Sequence, residues 1–163
     1  MADLHLVLQL LVLLGVANLA PILVKRLIGQ RLAAPLDGGL AFFDGRPLLG
    51  PSKTIRGVLA AVVATTIVGM LMGFPALLAA QFGALSMAGD ALASFVKRRL
   101  GIAPSGRAPG LDQLVEAALP LLVLRNALGL SWPQLVTITL VFFVLHVPLS
   151  KLLARLRLRD RPH

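Results

Sequence analysis

Residues 4–24 read LHLVLQLLVLLGVANLAPILV, without a single Lys, Arg, Asp or Glu. At about 1.5 Å per residue such a run crosses a hydrocarbon layer roughly 30 Å thick. No other feature restricts the fold as much. A leader peptide is the poorer reading, because Lys25 and Arg26 follow the apolar run and no small-x-small cleavage site closes it. The run is expected to be retained as a first membrane span.

Four more apolar runs follow, at about 57–74, 75–96, 114–131 and 134–153. Gly73 and Pro75 mark a minimal turn inside the first pair, and Gly129, Ser131, Trp132 and Pro133 one inside the second. The 57% hydrophobic content and mean hydropathy of +0.86 agree with a polytopic helical protein rather than a soluble one. The absence of Cys excludes disulfides and thiolate metal sites.

Net charge of +9 would suggest nucleic-acid binding in a soluble chain. The positions argue otherwise. Six of the sixteen basic residues lie in 25–56, four in 97–112 and five in 151–161, with Arg125 the remaining one. Five spans put all three clusters on one side, which the positive-inside rule makes cytoplasmic. Four or six spans would split them. The expectation is therefore a single all-α integral domain in the cytoplasmic membrane, residues 1–163, with an outside N-terminus, cytoplasmic loops at 25–56 and 97–113 forming the site, and a cytoplasmic tail at 154–163. No nucleic-acid partner is expected, and Lys25, Arg26 and the tail cations are read as topogenic.

The first loop contains FFDGRPLLGPSKTIRG, in which Ser52, Lys53, Thr54 and Arg56 gather donors just before the second span. Such donors beside a helix N-terminus suit phosphates. Lys53 and Arg56, three apart, fit one side of a first helical turn. A Walker loop is excluded, because Pro51 and Ser52 separate the second Gly of GRPLLGPSKT from its Lys.

The third span ends in GDALASFVKRRLG. An acid inside a membrane helix costs about 2.5 to 3.5 kcal/mol on insertion scales, so Asp90 should face a polar cavity and have a partner. Asp90, Ser94, Lys97 and Arg98 fall on one helical face, suited to a metal ion deep and phosphates shallow. A packing ion pair between Asp90 and Arg125 is the bland alternative. Asp112 at the fourth span reads either as a helix N-cap, with Glu116 supporting the first turn, or with Asp90 and Asp44 as hard oxygen ligands for magnesium. The histidines, His5, His146 and His163, share no ligand spacing. His146 is read as a packing residue.

These three segments, FFDGRPLLGPSKTIRG, GDALASFVKRRLGI and LDQL, with Asn18 and Pro21 of ANLAP, resemble the CDP-archaeol synthase family, relatives of the CDP-diacylglycerol synthases. The resemblance spans about residues 17–114. It implies a membrane cytidylyltransferase that joins CTP to a phospholipid phosphate, archaetidic-acid-like or phosphatidic-acid-like, releases pyrophosphate and requires Mg2+. On this chain it implies Asp44, Lys53, Thr54 and Arg56 in the loop motif, Gly89, Asp90, Ser94, Lys97, Arg98 and Arg99 in the helix-end motif, and Asp112 and Gln113 in the third. Asp90, Asp112 and Lys97 would be catalytic, with Asp90, Asp112 and Asp44 on the metal. Ser52, Lys53, Thr54, Arg56, Ser94, Arg98 and Arg99 would bind nucleotide and phosphate. The family reads Asp-Gln-Leu-Asp-Phe where this chain has Val115 and then Glu116, and one residue further along a helix points about 100° away.

CTP, the phospholipid substrate and membrane lipids are the implied partners, and a homodimer is among the assemblies left open. A CDP-alcohol phosphotransferase is excluded, because Asp44-Gly45 is not followed by its Ala-Arg pattern. The rival of another class is a non-catalytic lipid-binding or transport protein with Asp90 and Arg125 paired along a permeation path.

Overall fold

The structure, a computed structural model, describes residues 4–102 and 110–155 and the side chains up to residue 146. It comprises five helices: α1 (Leu4–Ile28), α2 (Ile55–Leu71), α3 (Ala76–Arg99), α4 (Leu111–Val123) and α5 (Trp132–Arg155). The described residues contain no strands, only isolated antiparallel bridges between Pro35 and Thr54 and between Ala41 and Pro47. The all-α expectation is met. Central α3 packs on α1, α2 and α4, while α5 closes the bundle against α4 and α1.

Leu10, Leu13 and Leu14 of α1 pack with Phe82, Leu121 and Ile138 in the main core. The outward faces are equally apolar: Leu8 and Val12 on α1, Leu59, Val63 and Ile67 on α2, and Val136 and Leu140 on α5 are exposed. A helix that is apolar all round does not face water. Helices α1 and α3 are each long and apolar enough to cross a bilayer, whereas α2 and the described part of α5 are shorter apolar helices.

Association in lipid relies on close backbone approach rather than on hydrophobic expulsion, and small residues permit it. A Cβ added at Gly83 of α3 would lie 2.0 Å from Thr65 Oγ1 of α2, and one at Gly69 would lie 2.5 Å from the Ala79 Cβ. At Gly89 the obstruction is backbone, with the Val115 carbonyl oxygen of α4 at 2.5 Å. Gln9 of α1 donates to the Met72 carbonyl at 2.9 Å, satisfying an end of α2 from a neighbour.

The helix ends differ from the hydropathy boundaries, because basic residues do not by themselves end a helix. Helix α1 runs on through Lys25 and Arg26, and α3 through Lys97, Arg98 and Arg99. Helix α2 starts at Ile55 because Thr54 caps it, its hydroxyl accepting from Gly57 N at 3.3 Å. The largest departure is α4, only 13 residues and so about 20 Å long, where apolar sequence predicts a span to residue 131. Turns occupy residues 124–129, with Leu130 N returning to the Arg125 carbonyl and Gly129 at φ 63°. Arg125 is drawn into this turn, 4.6 Å over the Trp132 ring and 3.3 Å from the Leu130 carbonyl. The expected tail from residue 156 on, Arg107 and His163 lie outside the described residues.

Candidate active site

The segment between α1 and α2 folds around one carboxylate. Asp37 Oδ2 accepts from Leu49 N at 2.8 Å and Gly50 N at 3.1 Å, and Oδ1 accepts from Gly39 N at 3.0 Å. Burial disfavours the charge, yet these backbone donors outweigh it and hold the carboxyl below its ordinary value of 3.8. Beyond it a hairpin forms, with Phe42 N on the Arg46 carbonyl and Leu48 N on the Leu40 carbonyl, both 2.8 Å. The returning segment delivers Lys53 to the α2 N-terminus, where Leu36 N bonds the Lys53 carbonyl at 2.8 Å.

Two ion pairs then link three segments that are far apart in the chain. Lys53 of the loop donates to Asp90 Oδ2 of α3. Seven residues later, Lys97 of α3 donates to Asp112 Oδ2 of α4 at 2.7 Å. Lys97 is 5% exposed and Arg98 3%. Arg98 gives one N–H to the Ile102 carbonyl and keeps its Nε buried without a partner, as is Asp112 Oδ1. Buried polar atoms in native proteins are nearly always hydrogen-bonded, so unmet donors and acceptors beside two ion pairs point to a site built for a charged ligand. Ser94, 2% exposed, lies on the same face of α3 one turn beyond Asp90, as its spacing predicts.

Other expectations are redistributed. Asp90 pairs with Lys53 and not with Arg125, which removes the observation on which the permeation-path reading stood. Asp112 is no N-cap: Gly110, at φ 90°, holds that position without a side-chain bond, and the second residue of the helix turns to Lys97 instead. Lys53 and Arg56 do not share a target, since Thr54 caps between them and Arg56 donates to the Arg31 carbonyl. The Thr54 hydroxyl serves the helix end, and Ser52 is exposed.

Asp44 and Arg99 form a latch. Arg99 stacks over Phe42 at 4.6 Å and Phe95 at 5.0 Å and donates to Asp44 Oδ1 and to the Pro47 carbonyl, both at 2.6 Å. Arg46 reciprocates, donating to the Arg98 and Arg99 carbonyls at 3.3 and 2.8 Å. The hairpin is thereby pinned to the end of α3. Sequence reading missed Arg46 and Asp37. For Asp37 a signal existed, because Asp followed by Gly-Gly is an Asx-turn pattern.

Glu116, 1% exposed, is buried between helices rather than supporting the first turn. Its Oε2 accepts from Asn18 Nδ2 of α1 at 2.8 Å, and Ser86 Oγ of α3 lies 3.5 Å from Oε1. His146, 3% exposed, packs its ring 5.8 Å from that of Phe142, as a packing residue should.

Among the described residues no three acidic or histidine side chains are grouped closely enough to enclose a metal ion, so the Asp44, Asp90 and Asp112 set is not assembled. Asp44 is taken by Arg99. Magnesium needs no such cage: it takes one or two carboxylates with substrate phosphates and water. Asp112, with an unpartnered oxygen beside its lysine contact, fits that mode, and Asp90 stands on the same side of α3.

The chain is similar to known proteins over most of its length. The family model described as CarS-like, CDP-archaeol synthase, matches residues 4–81 and 75–163. The CDP-archaeol synthase of Hyperthermus butylicus is 37% identical over 153 residues, covering 90% of this chain and 88% of the relative. That of Sulfurisphaera tokodaii is 35% identical over 136 residues, covering 78% and 81%. A solved structure of an intramembrane enzyme for archaeal membrane lipids biosynthesis superimposes with a TM-score of 0.72 at 32% identity, covering 86% of this chain and 89% of the other.

Proposed function

The chain belongs to the CarS-like, CDP-archaeol synthase family, and from that premise we propose that the lysine–carboxylate pairs of α3 are the centre of a CTP-dependent cytidylyl transfer to a lipid phosphate. The enzyme is a membrane cytidylyltransferase that makes a CDP-lipid. The lipid phosphate oxygen attacks the α-phosphorus of CTP, a new P–O bond forms, the bond to the bridging oxygen of the β-phosphate breaks, and pyrophosphate leaves with that electron pair. An archaetidic-acid-like lipid is the acceptor the family name favours, and a phosphatidic-acid-like lipid presents the same head group.

Such a reaction brings two polyanions together, so positioning and charge neutralisation carry most of the catalysis. Lys53, Lys97 and Arg98 are the cations at the paired carboxylates, and each lysine is held in place by the acid it bonds. When phosphates arrive, each ammonium group, with three N–H donors and one given to its acid, has two to spare. Ser94 and the unmet Nε of Arg98 add donors from the same face of α3. Asp90 and Asp112 would hold magnesium, which when bound neutralises phosphate charge and polarises the α-phosphoryl group. Arg99, Thr54 and Arg56 act one step back, by fixing the hairpin and the start of α2.

In the membrane, the reading retains five crossings, with the N-terminus outside and both site loops cytoplasmic. The basic clusters support it. The short α4 completes its crossing through the turn at 124–129.

The observation that carries the proposal is the pair of bonds Lys53 to Asp90 and Lys97 to Asp112, which unites the three motif segments at one place. The test is pyrophosphate release by the detergent-purified protein with CTP and magnesium, run with archaetidic acid and with phosphatidic acid. Release with either lipid establishes the reaction and reads tail preference. A folded protein that releases none with both, and shows no magnesium-dependent CTP binding, refutes it.

A further inference from the structure

Residues 25–47 leave the bundle with a single buried side chain, Asp37. Their large apolar side chains point outward: Leu27 is 81% exposed, Leu32 79%, Leu40 64% and Phe43 100%. Phe43 stands at the tip of the hairpin closed by the Ala41–Pro47 bridge, with its ring edge against Phe42, which in turn meets Phe95. Each such side chain left in water forgoes the free energy of its burial, so a water-facing loop of this composition is unfavourable.

The charges of the segment point to what covers it. Lys25, Arg26 and Arg31 are exposed, while Asp37 is buried on backbone N–H groups and Asp44, 39% exposed, has its charge paired with Arg99. The segment therefore offers apolar side chains and cations together, the pattern that suits an anionic headgroup region. It also continues the exposed apolar stripe of α1 through Leu23 and Leu27.

We propose that residues 27–43 lie in the headgroup region of the bilayer, with Phe43 inserted as an anchor. The occupant of this surface is a lipid surface carrying anionic headgroups. Because Arg46 and Arg99 pin the hairpin to the end of α3, the anchor sets the depth of Lys97 and Arg98 relative to the plane of lipid phosphates. The anchoring stands independently of the cytidylyl reaction.

The chain has one Trp and no Cys, which permits a direct test. Phe43→Trp in a Trp132→Phe background is reconstituted in vesicles of phosphatidylcholine and phosphatidylglycerol, with or without bromine on the acyl chains. The expected result is blue-shifted emission, largely lost with brominated chains and insensitive to aqueous iodide. Water-like emission quenched by iodide overturns the proposal, as does dry emission reached by neither quencher, the signature of a second copy covering the tip. Phe43→Cys carrying an environment-sensitive dye, with Trp132 intact, repeats the reading in a second variant and must give the same membrane signal.

Discussion

Asn18 and Glu116, 98 residues apart, meet across α1 and α4, with the Asn18 amide donating to the Glu116 carboxylate at 2.8 Å. Glu116 is one helical turn beyond Asp112, so the contact holds the rotation of α4 that turns Asp112 towards Lys97. Glu116→Ala removes the acceptor from Asn18 and should cost about 1 to 3 kcal/mol, visible as a lower melting temperature in detergent. Glu116→Gln keeps an acceptor and should retain most activity and an unchanged magnesium requirement. A magnesium requirement raised as much as by Asp112→Asn would make Glu116 the displaced metal acid instead.

Asp90→Asn and Asp112→Asn should each lower kcat by roughly 100-fold or more while leaving a folded, monodisperse protein, since each removes charge from the place where the phosphates are aligned. Steady-state kinetics of cytidylyl transfer checks this. Unchanged transfer in Asp90→Asn would remove that residue from the metal assignment.

Gly89→Ala should separate α3 from α4. The added methyl would meet the Val115 carbonyl oxygen at 2.5 Å and the Glu116 Cα at 2.9 Å, both rigid backbone. Overpacking of this kind costs about 1 to 3 kcal/mol. The expected readout is a lower melting temperature together with lost CTP binding, because Lys97 and Asp112 sit on the two helices being pushed apart. Gly15→Ala, with open space around its Cβ, should have neither effect.

The Asp37 carboxyl is held below 3.8, so it contributes stability that is fully present above that pH and lost as pH falls through the lower folded value. Acidification below about 4 should loosen residues 37–50 first, read as faster amide exchange there. Asp37→Asn should abolish this acid step and, by placing an amide where backbone N–H groups donate, should cost about 2 kcal/mol already at neutral pH.

Arg99→Lys should loosen the hairpin. A lysine can still reach Asp44, but it lacks the planar fork that bonds the Pro47 carbonyl and stacks between Phe42 and Phe95. Limited proteolysis should cut within residues 41–47 faster, and kcat should fall several-fold. A raised KM for CTP with an intact hairpin would instead return Arg99 to direct phosphate binding.

The charged residues of the site were legible for different reasons: Asp90 because an acid inside a membrane helix costs free energy, Lys53 and Lys97 as phosphate donors near helix ends, and Asp112 as a candidate hard oxygen ligand. The structure brings the four into two pairs. Partner choice was not legible: the sequence offered Arg125 as the ion-pair partner of Asp90, and only packing of the loop onto α3 gives it Lys53 instead. Arg46 carried no signal at all, because a loop arginine that bonds helix-end carbonyls looks like any topogenic cation.

Apolar runs and the placing of the basic residues determined by themselves that the chain is helical and membrane-embedded, since uncharged stretches of this length have no other low-energy state and every backbone group in lipid must be bonded within its own helix. The end of α4 at Val123, the inward turn of Glu116 to Asn18, and the use of Thr54, Asp44 and Arg99 as structural bonds were decided only by tertiary structure. Caps, close backbone approach at Gly83 and Gly89, and competition among nearby donors for each carboxylate depend on distances between segments far apart in the chain, and no pattern along one strand of sequence contains those distances.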